Sequence, residues 1–374
     1  MMELKQQLFL ALLRAGLWDS SVDTALFEGN IDWTGIFRLA AHQTVKGIVA
    51  DAVNKLPDTY RPLQPVMREL AFYIARNRMC HARHNAVLGE IIRQFTDYGI
   101  NPVLLKGQGM SLNYPEPTLR HCGDIDLYIG EDNFEKGVQL AAQCKDVNSG
   151  TMLIAKHYEF EYRQVSVELH RMVELNYIPW RNKYMRRLER KYLQDTACRS
   201  MALEGVQTVL LPPCQFDVVF ILEHAWHHFV FLGGVGLRQI CDWVMCLHHC
   251  HDKIDILALE KDVRKLGLKE GWKLFGYIAV NYLGLPPSEL PFYDESAKTR
   301  AKRALQQILT ESYGQEHTQQ IPSGYVERKM KAFSTMFGRW KIIRQYEGTF
   351  NMAVYLIGFL TVGSYRMLRY WGKE

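Results

Sequence analysis

The run Asp124-Ile125-Asp126-Leu127-Tyr128-Ile129 places two carboxylates two residues apart in an otherwise apolar, strand-favouring segment. Alternate side chains of a strand share a face, so Asp124 and Asp126 emerge side by side. Adjacent carboxylates repel, and burial raises that cost. A divalent cation removes it, and paired carboxylates are what Mg²⁺ sites use. The plainer reading of the same D-x-D is a solvated edge or a turn entry. Upstream, Val103 to Leu105 reads as a short buried strand ending at Lys106-Gly107-Gln108-Gly109, after which a short helix runs toward Tyr114-Pro115. A strand–glycine–helix junction presents backbone N–H groups to an anion, and Lys106 adds a positive charge for a phosphate. The alternative is that Gly107 and Gly109 only permit a tight turn. Downstream, His157 to Arg163 alternates, and Val165 to His170 follows after a very short connection, so a pair of strands is expected. Glu168 and His170 point to the face opposite Val167 and Leu169. Alone, Glu168 reads as a solvent-facing position; beside the Asp pair it completes a metal-binding carboxylate triad.

The elements that must position these groups form an α+β fold, mostly α overall. A small mixed β-sheet core over residues 99–213 is embedded between an N-terminal helical lobe (1–98) and a C-terminal helical lobe (214–374). Ile31-Asp32-Trp33 starts a helical segment running through Ala41. Leu63 to Tyr98 reads as one long helix or two, and Glu131 to Cys144 as the helix after the Asp strand. The chain has 374 residues, 48% of them hydrophobic, and a net charge of +5, which suits a soluble globular protein of two or three lobes. No signal peptide is expected, and the 8 cysteines show no disulfide-like framework. Both features fit a reducing, cytoplasmic compartment.

The ordered set Leu104-Leu105-Lys106-Gly107, Tyr114-Pro115, Arg120, Asp124-Ile125-Asp126 and Glu168-Leu169-His170 resembles a bacterial branch of uncharacterised nucleotidyltransferases. That branch belongs to the DNA polymerase β-like nucleotidyltransferase superfamily. The resemblance is strong over residues 100–170 and weaker to about 250. At the turn this chain has Gly107-Gln108, where many superfamily members have Gly-Ser or Gly-Gly. The resemblance implies that Asp124, Asp126 and Glu168 hold two Mg²⁺ ions, which clamp a nucleoside triphosphate and activate an acceptor hydroxyl. Amides at Gly107 and Gln108 would bind the phosphates, and Lys106 or Arg120 would balance developing charge. A nucleoside monophosphate would move to the acceptor and pyrophosphate would leave. ATP is the default donor only by abundance. The acceptor stays open among a small molecule, a sugar, a protein hydroxyl and an RNA end. His170 either orients a carboxylate or is simply a buried polar residue. Arg120 read by itself is a surface charge in the loop after Pro117. A non-catalytic nucleotide- or partner-binding protein that keeps the fold is the alternative function, and the retained acidic triad argues against it.

Elsewhere, His224 and His228 are spaced i, i+4 and share a helix face, but no glutamate stands between them as in H-E-x-x-H. The resembling branch has a similar histidine helix followed by an L-R-x-x-x-D helix, here Leu237, Arg238 and Asp242. These residues would face the cleft, toward base, ribose or acceptor; a buried network of Arg238 with Asp242 is the equal alternative. Cys246, His248, His249, Cys250 and His251 are too close in sequence on one helix to converge on a metal. Residues 176–213 are basic and aromatic, with Arg181, Lys183, Arg186, Arg187, Arg190 and Lys191 among Tyr177, Trp180, Tyr184 and Tyr192. A charge-rich face is usually just solvated and the net charge is small, so a nucleic-acid partner is not expected. Thr349 to Tyr365 is uncharged but short for a membrane span and reads as a buried helix. Weak membrane-surface contact, anchored by Arg366, Arg369, Tyr370, Trp371 and Lys373, is the alternative.

Overall fold

A computed structural model describes residues 2–144, 147–153, 156–203, 205–310 and 325–370. In chain order its elements are α1 (Leu4–Leu17), α2 (Trp33–His42), α3 (Lys46–Asn54), α4 (Gln64–Asp97), β1 (Val103–Leu104), α5 (Gln108–Ser111), β2 (Ile125–Tyr128), α6 (Gly130–Gln143) and β3 (Val147–Leu153). They continue with β4 (His157–Tyr162), β5 (Val165–His170), α7 (Pro179–Tyr192), β6 (Arg199–Leu203), β7 (Val206–Leu211), α8 (Cys214–Val230), α9 (Leu237–Cys250), α10 (Ile256–Lys265), α11 (Lys269–Asn281), α12 (Lys298–Thr310), α13 (Tyr325–Gly338) and α14 (Trp340–Tyr370). The fold is therefore α+β and mostly helical, as the sequence pattern implies. The chain divides into two compact units. One comprises Met1–Arg78, Ser111–His121 and Val218–Tyr346; the other comprises Met79–Met110, Cys122–Asp217 and Glu347–Glu374.

The first unit is built from helices. Asp32 caps α2 by accepting the Gly35 amide at 2.8 Å, which starts the helix where a carboxylate also favours the positive end. α1 buries Leu8, Phe9, Leu12 and Leu13. It packs on α3 so closely that a Cβ on Gly16 would meet the Ile48 carbonyl at 2.5 Å. An aromatic cluster of Trp226, Phe229, Phe275 and Tyr346 fills the space between helices, with ring centroids 5.3–5.7 Å apart. Buried Gln43 ties three segments together: its amide donates to the Ile308 carbonyl, and its oxygen accepts from the Leu237 amide, each at 2.9 Å.

The second unit carries the sheet. Among the described residues it has seven strands in the order β3-β4-β5-β2-β1-β7-β6. β2 pairs parallel with β5 and antiparallel with β1, and β1 pairs parallel with β7. Period-2 alternation sorts the side chains of β2, β4 and β5 into two faces. Ile125, Leu127, Tyr158, Phe160, Tyr162, Val165, Val167 and Leu169 are buried on one. Asp126, His157, Glu159, Glu168 and His170 stand on the other. Helix α6 supplies Phe134, Leu140 and Ala141 to this unit's core. The β4–β5 connection is a two-residue turn in which Arg163 (φ 48°) and Gln164 (φ 64°) are both left-handed. That geometry matches strand twist but strains residues with a Cβ.

Three strands were not expected from the sequence. They are β3, β6 and β7. The expected solvated basic face on α7 holds for Lys183, Arg187, Arg190 and Lys191, which are exposed, and not for Arg181 and Arg186. Arg181 is buried and ion-paired with Glu347 at 2.7 Å, and Arg186 pairs with Glu189 at 2.9 Å. The uncharged C-terminal segment lies in α14 after a break at Gly348 (φ 76°). There Tyr355 and Phe359 are buried against Tyr177, while Phe350 and Ile357 are exposed. The side chains of Arg366, Arg369 and Tyr370, together with Trp371 and Lys373, lie outside the described residues. Among those that are described, no helix is long and apolar enough to cross a membrane. The reading of uniformly reduced cysteines fails at Cys214 and Cys250, each of which is disulfide-bonded.

Candidate active site

Register builds the site. The parallel β2–β5 ladder sets Asp126 directly beside Glu168, and Tyr128 beside His170. The antiparallel β4–β5 ladder sets Glu159 opposite Glu168, and His157 opposite His170. A polar H-x-E of β4 thus faces the E-x-H of β5. Asp124 is exposed, just before β2. Lys106 reaches this face from the end of β1, where the Leu105 amide bonds the Asp126 carbonyl at 3.0 Å.

His170 is the hub. Its Nε2 lies 3.0 Å from Asp126 Oδ1 and 3.0 Å from Glu168 Oε2, and its Nδ1 faces the Met172 carbonyl at 3.4 Å. All of its hydrogen-bonding capacity is therefore spent on acceptors. Burial opposes its charge, but the hydrogen bonds to Asp126 and Glu168 outweigh burial and hold its pKa above the ordinary histidine value. Lys106 Nζ sits 3.0 Å from the same Asp126 oxygen. Burial works against this ammonium too, and the charges of Asp126 and Glu168 overcome it. Asp126 is held well below the usual carboxylate range: burial would raise it, and the Lys106 charge and the His170 hydrogen bond prevail. Glu168 is drawn down to about 2, its burial outweighed chiefly by His170.

Two further groups complete the cluster. Glu159 has its pKa raised by burial and by the negative charges of Glu168 and Asp124. His157 is buried, and burial pushes its pKa down to about 3, so its ring is neutral at neutral pH. Its Nδ1 lies 3.4 Å from Glu168 Oε2, and neither of its ring nitrogens has a hydrogen-bond partner. Four carboxylates, Asp124, Asp126, Glu159 and Glu168, thus face two cations, Lys106 and His170. The excess negative charge fits a cation, and the oxygen donors fit a hard divalent ion. His157, Glu168 and His170 bring ligand atoms within 4.8 Å of one another. Of the two imidazoles in that set only His157 is neutral, and His170 would have to give up its shared proton before it could bind a metal.

The structure brings Lys106, Asp126, Glu168 and His170 together and places Asp124 within electrostatic range of Glu159. Gly107 adopts φ 59°, and a Cβ there would sit 3.2 Å from the Asp124 carbonyl, so the turn requires glycine. The short helix expected after it is α5, a single turn, which carries little macrodipole. Gln108 is buried, and its amide donates to Cys122 Sγ at 3.8 Å.

The other expected site residues belong to the helical unit. Arg120 is buried and makes a bidentate pair with Asp242, at 2.7 and 2.8 Å, and the Tyr114 hydroxyl donates to Asp242 at 2.7 Å. Asp242 stays ionised because the Arg120 charge outweighs its burial. Arg238 donates to the His121 carbonyl at 3.3 Å. Arg120 is therefore not a surface charge, and Asp242 is bound first to Arg120 rather than to Arg238. His224 and His228 sit on one face of α8 with rings 4.6 Å apart.

His157 and Glu159 were missed from the sequence. The available signal was that His157-x-Glu159 repeats, in reverse, the spacing of Glu168-x-His170.

A family model described as uncharacterised nucleotidyltransferase matches residues 29–284. No curated protein and no solved structure matches the chain.

Proposed function

Because the chain belongs to the uncharacterised nucleotidyltransferase family, we propose that it moves a nucleoside monophosphate from an NTP, with ATP the default, to an acceptor hydroxyl, with release of pyrophosphate. The observation that carries this reading is the in-register Asp126–Glu168 pair on adjacent parallel strands, flanked by Asp124 and Glu159 and short of positive charge. Asp124, Asp126 and Glu168 are the residues that would hold Mg²⁺. Bound there, the ion supplies charge neutralisation for the triphosphate and acidifies the attacking hydroxyl.

The protein's own groups have distinct tasks. His170 fixes the rotamers of Asp126 and Glu168 through one shared N–H, so the carboxylates are set before anything binds. Lys106, on Asp126 in the free protein, is long enough to turn to a phosphate once its carboxylate is otherwise neutralised. Glu159, whose pKa is raised, can take up the acceptor proton. Gly107 brings backbone amides close to β2. The acceptor is a small molecule, a sugar or a protein hydroxyl.

A second reading is a nucleotide-binding protein without turnover. It is favoured by the two cations already seated on Asp126. The double variant Asp126→Asn with Glu168→Gln decides between them. The enzyme reading requires Mg²⁺-dependent label transfer in the wild type and background transfer in the variant at unchanged far-UV dichroism. NTP binding without pyrophosphate release across a broad acceptor screen would favour the second reading.

A further inference from the structure

A second cluster of ligating side chains stands outside this face. Cys80 and His84 are spaced i, i+4 on α4, so they share one helix face. Cys122 comes from the segment just before β2. The ligand atoms of these three residues lie within 4.8 Å of one another. Cys122 and His84 are buried, and Cys80 is half-buried. Two thiols and one imidazole are the soft and borderline donors that Zn²⁺ selects, whereas Mg²⁺ avoids them.

His84 also has the backbone contacts from which a ligand histidine is oriented. Its Nδ1 faces the Cys80 carbonyl at 2.8 Å, and its Nε2 faces the Gly123 carbonyl at 2.9 Å. With a metal bound, one nitrogen would leave its carbonyl for the ion and the other N–H would keep its backbone carbonyl, the outer contact that metal-bound histidines make. The Gln108 amide donating to Cys122 Sγ at 3.8 Å supplies the matching outer contact on a sulfur ligand.

We infer that Cys80, His84 and Cys122 form a zinc site that ties α4 to the start of β2, with water in the fourth position. Such a tie acts on the candidate active site through position alone, since Asp124 follows Cys122 by two residues and Gln108 follows Gly107.

The test uses the full-length chain. Purified under reducing conditions, it should carry stoichiometric zinc by elemental analysis. Co²⁺ added to the metal-free chain should give a thiolate-to-cobalt charge-transfer band and tetrahedral visible bands. Cys122→Ser and His84→Asn should each lower zinc affinity about tenfold or more. Asp126→Asn with Glu168→Gln should keep the zinc, which separates this site from the carboxylate cluster. Chelation should lower the unfolding midpoint. The inference is overturned if the reduced wild-type chain holds no zinc and shows no cobalt–thiolate band. It is also overturned if Cys80 and Cys122 are joined as a disulfide, or if the metal survives in a folded Cys80→Ser, Cys122→Ser variant. The cobalt titration needs no variant, so a substitution that fails to fold leaves the test standing.

Discussion

His170→Gln is the perturbation that most directly probes how the carboxylate cluster is held. In the wild type one Nε2–H serves Asp126 and Glu168, each at 3.0 Å, from a ring that is 1% exposed. Charge-assisted hydrogen bonds contribute about 1.5–3 kcal/mol each. Glutamine keeps an N–H but not the charge, so two buried carboxylates then share the Lys106 charge alone. Breaking one side of a buried ion pair costs about 3–5 kcal/mol. Lys106 and the residual donor offset part of that, and a loss of about 3 kcal/mol is expected near pH 6.

The pH dependence follows from the direction of each shift. His170 has a folded pKa above its ordinary value, so its contribution is fully present below about pH 6.5 and is lost as pH rises through the folded value. Asp126 and Glu168 are depressed, so theirs is present above the ordinary carboxylate range and is lost as pH falls, for Glu168 toward about 2. Urea unfolding of both proteins in EDTA, stepped from about pH 6 to about pH 9, should show the gap narrowing on the alkaline side. A variant within about 0.5 kcal/mol of wild type near pH 6, or a gap that does not contract, refutes the reasoning.

Three further outcomes are expected. Gly107→Ala forces a Cβ into a left-handed residue 3.2 Å from the Asp124 carbonyl; it should destabilise the chain by about 1–2 kcal/mol in urea titration, with a larger loss of nucleotide affinity by calorimetry. Asp242→Leu strands Arg120 in a buried site and should cost about 3–5 kcal/mol, whereas the double change Arg120→Met, Asp242→Leu should cost less than either of its single changes, a coupling that a double-mutant cycle measures directly. Gln164→Gly relieves a left-handed residue in the β4–β5 turn and should raise the thermal midpoint, by about 1 kcal/mol at that temperature, with no effect on nucleotide binding.

Local chemistry was legible in the sequence where a strand periodicity or an obligatory glycine expressed it. The alternation of Val165 to His170 put Glu168 and His170 on one face, and the turn at Lys106-Gly107 showed in the residue types alone. Pairing register was not legible. Nothing local says that His157 opposes His170, or that Lys106 turns to Asp126 in the free protein rather than outward to a phosphate. Arg120 reads as a phosphate contact or a loop charge because its partner, Asp242, lies more than a hundred residues away. The strands β3, β6 and β7 escaped notice because Asn148, Ser149, Arg199, Ser200 and Gln207 break the apolar alternation that marks a half-buried strand. Their pairing, not their composition, makes them strands.

Nucleotidyl transfer at the Asp126–Glu168 face is decided by which phosphorus of the NTP reaches the product. Purified chain is incubated with Mg²⁺, a lysate of its own host as acceptor, and NTP labelled either at the α- or at the γ-phosphate. α-Label is expected to enter product while γ-label leaves as pyrophosphate, and both signals should vanish with Asp126→Asn. Product carrying γ-label, or no transfer from any of the four NTPs with intact nucleotide binding, would contradict it.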